Sequence, residues 1–248
     1  MVDKRKPHDF HAQKNVFLEC ERLIVFLLMM TVGGYFGAFT YVARGGVFCN
    51  AQTGNILMMS IALGDGRWRD SLYFVVPLSA YLLGTFLSEI LPSQVKRSHL
   101  IRWDTLLVLV EIVAVVILGF LPEDAPVQIT QIVVNFICSM QFNTFRQAEG
   151  IPMATTFCTN HVRQISVDIC KAVRHKEERG FHLGRAGAHI GMLAAFVVGA
   201  AVSTLLSKRL LGRAIWFSLI PLGIVLLDLL YADLVKEKGL LGQIPHGH

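Results

Sequence analysis

GGVFCNAQTGNILMMSIAL, Gly45–Leu63, is the stretch whose reading decides the fold. It follows the first apolar run and carries no charge. In its first half Gly45, Gly46, Cys49, Asn50, Gln52, Thr53, Gly54 and Asn55 interrupt the apolar pattern with turn formers and polar groups. From about Asn55 to Leu63 it reads as a short apolar helix, with Thr53 or Asn55 placed to cap it. The expectation is an extended strand that dips into a membrane and a half-helix that climbs back out. Backbone without helical hydrogen bonds is tolerated at membrane depth only inside protein or beside water. The stretch therefore marks an interior site.

Composition supports a membrane setting. The chain has 248 residues, 53% hydrophobic and 17% charged, too apolar for a soluble domain of this length. The N-terminal VDKRKPHDFHAQK is basic and polar, and the first apolar run is of spanning length, so no cleavable signal is expected. The net charge of +5 lies mostly in loops, without a basic stripe interleaved with stacking aromatics, so nucleic acid is not an expected partner. Five cysteines (20, 49, 138, 158 and 170) form no CxxC and no cluster with metal spacing, so neither a metal nor a disulfide is expected. No GxSxG, HExxH, P-loop or dinucleotide fingerprint occurs; no enzyme activity and no cofactor are expected.

Working outward, uncharged or nearly uncharged runs at 23–43, Ser71–Ser88, Thr105–Leu121, Val127–Phe145, Ala186–Ser207 and Ala214–Ala232 read as spans. Gly150–Ala172 begins uncharged and continues as an amphipathic helix holding Arg163 and Asp168. If Gly45–Leu63 and Gly150–Ala172 both re-enter, there are six spans, with 17 Lys and Arg on the side of both termini and 6 on the other. If both cross, there are eight spans and the split is about 14 to 8, so charge bias favours six. Length agrees, since a spanning helix wants ~20 apolar residues.

The expected organisation is a tail at 1–22, a membrane domain at 23–234 and a C-terminal tail at 235–248. The membrane domain divides into halves at about 23–122 and 125–234, and three spans per half make the second inverted. A weak repeat accompanies this. Tyr35–Gly45 corresponds to Met140–Gly150, Thr53-Gly54-Asn55 to Thr159-Asn160-His161, and Gly84 and Ser88 to Gly199 and Ser203. Paired broken segments in inverted halves point to a solute site near the midplane.

GGVFCNAQTGNI (Gly45–Ile56), with SMQFNTFR (Ser139–Arg146) and MATTFCTNHVR (Met153–Arg163), resembles the YoaK-type family over about Arg22–Ala232. These are bacterial inner-membrane proteins catalogued as a domain of unknown function. The resemblance implies a six-span, all-helical membrane protein and brings no activity, substrate or cofactor. The family commonly has an Asp where this chain has Gly37, and its second TGN-like motif reads Asn160-His161 here in place of Gly-Asn.

The residues thus predict an all-α membrane protein: six transmembrane helices in two inverted three-span halves, each with a re-entrant half-helix. The expected function is a transporter or channel for a small polar solute, anionic or neutral, held between the two half-helix N-termini. Candidate binding residues are Gln52, Thr53, Gly54, Asn55, Gln141, Asn143, Thr159, His161 and Arg163, with Glu111 as a proton carrier. Each has a plainer reading beside it. Thr53 and Asn55 could only cap, and His161 could be a satisfied interior histidine. Arg163 could pair with Asp168, and Glu111 could make an interhelical hydrogen bond. Of Gln141 and Asn143, which do not share a helical face, at most one is expected to meet a cavity. The expected partners are the lipid bilayer and the solute, with a homodimer left open. The expected location is the bacterial inner membrane with both termini cytoplasmic. The alternative function is a non-transporting membrane scaffold or sensor.

Overall fold

The computed structural model describes residues 17–95, 100–243 and 245. Most of the expected tail at 1–22, residues 96–99 of the basic loop and most of the last five residues lie outside the described residues. The fold is all-α: α1 Leu23–Ala43, α2 Gln52–Gly64, α3 Trp68–Val95, α4 Trp103–Gly119, α5 Val127–Thr144, α6 Thr159–Arg174, α7 Arg179–Leu210 and α8 Leu219–Tyr231. Leu211–Ser218 is a 3-10 stretch, and Gln147–Ala148 pairs with Ile151–Pro152 as a two-residue antiparallel hairpin. Among the described residues, three helical runs are long and apolar enough to cross a membrane: Leu23–Ala43, Trp68–Val95 and Lys176–Lys236.

Helix limits follow local chemistry. Gly45 and Gly46 have φ of 81° and 73°, a left-handed pair that ends α1 and turns the chain back. Glu149 and Gly150, at 47° and 80°, make the hairpin turn after α5. Neither α2 nor α6 starts on a side-chain cap. Their N-cap residues are Ala51 and Cys158, and neither makes a side-chain cap hydrogen bond. The expected caps at Thr53 and Asn55 are therefore absent, because Asn55 uses its amide elsewhere.

The packing pairs helices from different parts of the chain. α1 lies along α7 and α3 along α5; α2 packs on α3 and α6 on α7; α4 packs on α8. Contacts are close where glycines allow it. A Cβ on Gly84 would meet the Phe136 carbonyl of α5, and one on Gly199 would meet the Thr31 carbonyl of α1. The core holds Phe26, Met29, Met30, Phe36, Leu107, Ile137, Met192 and Leu222. Leu82, Leu83, Phe86, Ile117, Val197, Leu205, Ile220 and Leu227 stand exposed, an apolar exterior suited to lipid.

Polar pairs fix the two ends. At one end Arg44 and Glu123 are 3.3 Å apart, and Gly212 N donates to Glu123 Oε1 at 2.8 Å. At the other, Arg102 meets Asp233 at 3.5 Å and Glu237 at 3.3 Å, and Lys236 pairs with Glu19. Leu23 N donates there to Glu149 Oε1 at 3.2 Å.

Candidate functional site

The two extended stretches before α2 and α6 converge on the middle of α1. Asn50 Nδ2 donates to the Gly33 carbonyl at 2.8 Å. A Cβ on Gly33 would collide with the Thr155 carbonyl, so the second stretch passes directly over the same residue. Gln141 of α5 ties them further, its Nε2 3.0 Å from Met29 O and 3.4 Å from Thr155 O. On the other flank the thiols of Cys49 and Cys138 are 3.6 Å apart. All five cysteines are free.

Asn55 holds the first stretch in shape. Its Oδ1 accepts from Phe48 N at 3.0 Å, and its Nδ2 donates to Phe48 O at 2.6 Å and to Gln52 Oε1 at 3.0 Å. A buried amide here satisfies backbone groups that no helix serves. Gln52 Nε2 reaches Asn135 Oδ1 of α5 at 2.9 Å. Gly54 is half-buried and Thr53 exposed.

His161 holds the second stretch. Its Nε2 lies 2.8 Å from Ala154 O, and its Nδ1 lies 2.9 Å from His189 Nδ1 of α7. Both rings are fully buried. A carbonyl only accepts, so His161 Nε2 carries the proton in the neutral pair. Its Nδ1 is then the acceptor, and His189 donates from Nδ1. His189 Nε2 is left a bare acceptor, and it has no partner.

The remaining candidates divide. Gln141 is buried, with Oε1 unpartnered. Asn143 is half-buried and donates to Ser88 Oγ at 2.9 Å and Glu89 Oε2 at 3.1 Å. Both therefore bond across helices. Thr159 and Arg163 are exposed, and Arg163 donates to Asn160 Oδ1 at 3.2 Å. Asp168 pairs with His182 and Arg185 of α7, both at 3.5 Å, rather than with Arg163. Glu111 sits midway along α4, with no exposure and both carboxyl oxygens unpartnered.

Sequence reasoning passed over His189, Thr155 and Thr156. His189 was open to it: a histidine inside an apolar run deserves the same suspicion as Glu111. The buried Thr155 and Thr156 hydroxyls are unpartnered, which no pattern in the residues announces.

Residues 25–227 match the family described as a protein of unknown function, DUF1275. The chain belongs to the DUF1275 family. The YoaK-type resemblance agrees with this membership. No curated protein and no solved structure shows significant similarity to it. At Gly37, where the family commonly has an Asp, a Cβ would lie 2.8 Å from Asn50 Nδ2. An acid there would press on the amide that anchors the first stretch to α1.

Proposed function

We propose that this protein is a membrane transporter or channel for a small polar solute. The observation that carries the reading is the convergence of two non-helical stretches on Gly33, with Gln141 Oε1 and the Thr155 and Thr156 hydroxyls buried and unpartnered beside them. Unpaired polar groups at the core of an apolar bundle are costly, about 1–3 kcal/mol each, and a polar solute would satisfy them. Six spans are supported by the ends. Arg44, Glu123 and Gly212 share one end, and Glu19, Arg102, Glu149 and Lys236 the other, as six alternating crossings require.

An inverted repeat is supported by the packing. Matching α1 with α5, α2 with α6, α3 with α7 and α4 with α8 turns α1–α7 into α5–α3 and α2–α3 into α6–α7. The match holds at single residues: Gly84 against Phe136 mirrors Gly199 against Thr31. On this reading α2 and α6 are re-entrant half-helices, the location is the bacterial inner membrane and both termini are cytoplasmic.

The test is stopped-flow light scattering of proteoliposomes challenged with urea, glycerol, glycine, sodium acetate and ammonium chloride. Transport predicts faster volume recovery than protein-free vesicles for at least one probe. Rates equal to protein-free vesicles for all would favour the second reading, a scaffold or sensor. One observation favours that reading: Asn55 and His161 spend hydrogen bonds on their own extended stretches.

A further inference from the structure

We infer that the interior site takes a small monovalent cation, exchanged against the proton of Glu111, and not an anion. The inference rests on the transport reading for its position and on a separate observation for its sign. The buried side-chain atoms left without a partner sort by chemistry. Near the two stretches and on α4 these are the acceptors Glu111 Oε1 and Oε2, Gln141 Oε1 and His189 Nε2 and the hydroxyls of Thr155 and Thr156, which can accept; Gln131 Oε1, Asp168 Oδ2 and the Ser203 and Ser207 hydroxyls are unpartnered elsewhere.

The donor-only atoms without hydrogen bonds belong to Arg44, Arg102 and Arg185, and His182 Nδ1, which can donate or accept, is unpartnered as well. Each of these residues has a carboxylate within 3.5 Å, and each stands at or near a helix end. Arg163, the natural anion contact by sequence, is exposed and bound to Asn160. Among the described residues the interior therefore offers oxygen acceptors and no unpaired side-chain cation. Carboxylate, amide and hydroxyl oxygens suit a hard cation or ammonium.

The acceptors are linked through α5. α4, which carries Glu111, packs on α5, where Gln141 stands one turn after Cys138 and its amide touches the Thr155 carbonyl. The titratable groups facing Glu111 are few among the described residues. The elements packed on α4 bring Cys138 on α5, whose thiol is 3.6 Å from that of Cys49, Tyr81 on α3 and the exposed Arg213 on the 3-10 stretch. Asp228 lies near the C-terminal end of α8, toward the end of the bundle that holds Glu19 and Lys236. Among the described residues no ion pair includes Glu111, so its carboxyl stays neutral by keeping its proton or by exchanging it for an entering cation. The exchange is simple: the carboxyl O–H bond breaks, its proton leaves to water, and the cation takes the freed oxygen.

Melting temperature of the purified full chain tests this, at constant ionic strength, in sodium, potassium, ammonium and choline chlorides and in sodium gluconate. The expected result is a rise that saturates with one of the small cations over choline. The rise should be indifferent to chloride against gluconate and larger as pH increases. Glu111→Gln should abolish it, and Thr155→Val with Thr156→Val should weaken it severalfold. If Glu111→Gln does not fold, the cation selectivity and pH trend of the wild-type protein decide. Indifference to the cation, or a rise that follows the anion, overturns the inference. Vesicle flux separates it from the transport reading. A cation-dependent rise without flux sinks transport alone, whereas flux of acetate or urea with no cation effect sinks this inference alone.

Discussion

Asn55 carries the shape of the first extended stretch, because three hydrogen bonds meet on one buried amide. Asn55→Leu should destabilise the protein by about 2–4 kcal/mol, since Phe48 would lose partners for both backbone groups. Ser60→Ala on the same helix should stay within about 0.5 kcal/mol, because Ser60 is exposed and bonds only to Ile56 O. Thermal unfolding in detergent measures both, and equal losses would remove Asn55 from its role. Arg102 is the second such residue. It is buried between Asp233 and Glu237, so Arg102→Met should cost about 3–5 kcal/mol by leaving two carboxylates unbalanced. Residue chemistry was legible where it was unusual in kind. Glu111 and His161 stood out in apolar or motif context, and both are fully buried. Capping was misread, because Thr and Asn suit a cap and a backbone clamp equally. Only the fold decides which backbone the amide of Asn55 reaches.

At the scale of elements, small residues set how closely helices approach. A Cβ at Gly84 or at Gly199 would enter a carbonyl of the facing helix. Gly84→Ala and Gly199→Ala should each cost about 1–3 kcal/mol, and by similar amounts, if the two helix pairs are equivalent. Gly223→Ala on α8 meets nothing within 4 Å and should stabilise by about 0.4–1 kcal/mol. A loss at Gly84 with none at Gly199 would argue against equivalence. The existence of the helices was readable from apolar runs, and so were both interruptions, because Gly, Asn and Thr break those runs. Their lengths were not. α3 extends to Val95 and α7 starts at Arg179, beyond the uncharged windows Ser71–Ser88 and Ala186–Ser207. Amphipathic ends carry charge on a wetted face without leaving the helix.

For the whole molecule, the pairing of α1 with α7 and α3 with α5 was not predictable from any one segment. It depends on which small residues face each other, which hydropathy does not record. Gly84 and Gly199 each lie against a carbonyl of a facing helix. On the proposed reading both stretches re-enter the membrane, from opposite faces, and meet at Gly33. Side-specific labelling of single cysteines in a cysteine-free background tests it most directly, at the exposed positions Asp65, Asp124, Glu177 and Lys238. Re-entry predicts that a membrane-impermeant maleimide labels positions 65 and 124 from one face and 177 and 238 only from the other. Labelling of all four from the same face would mean that both stretches cross, and would contradict the account.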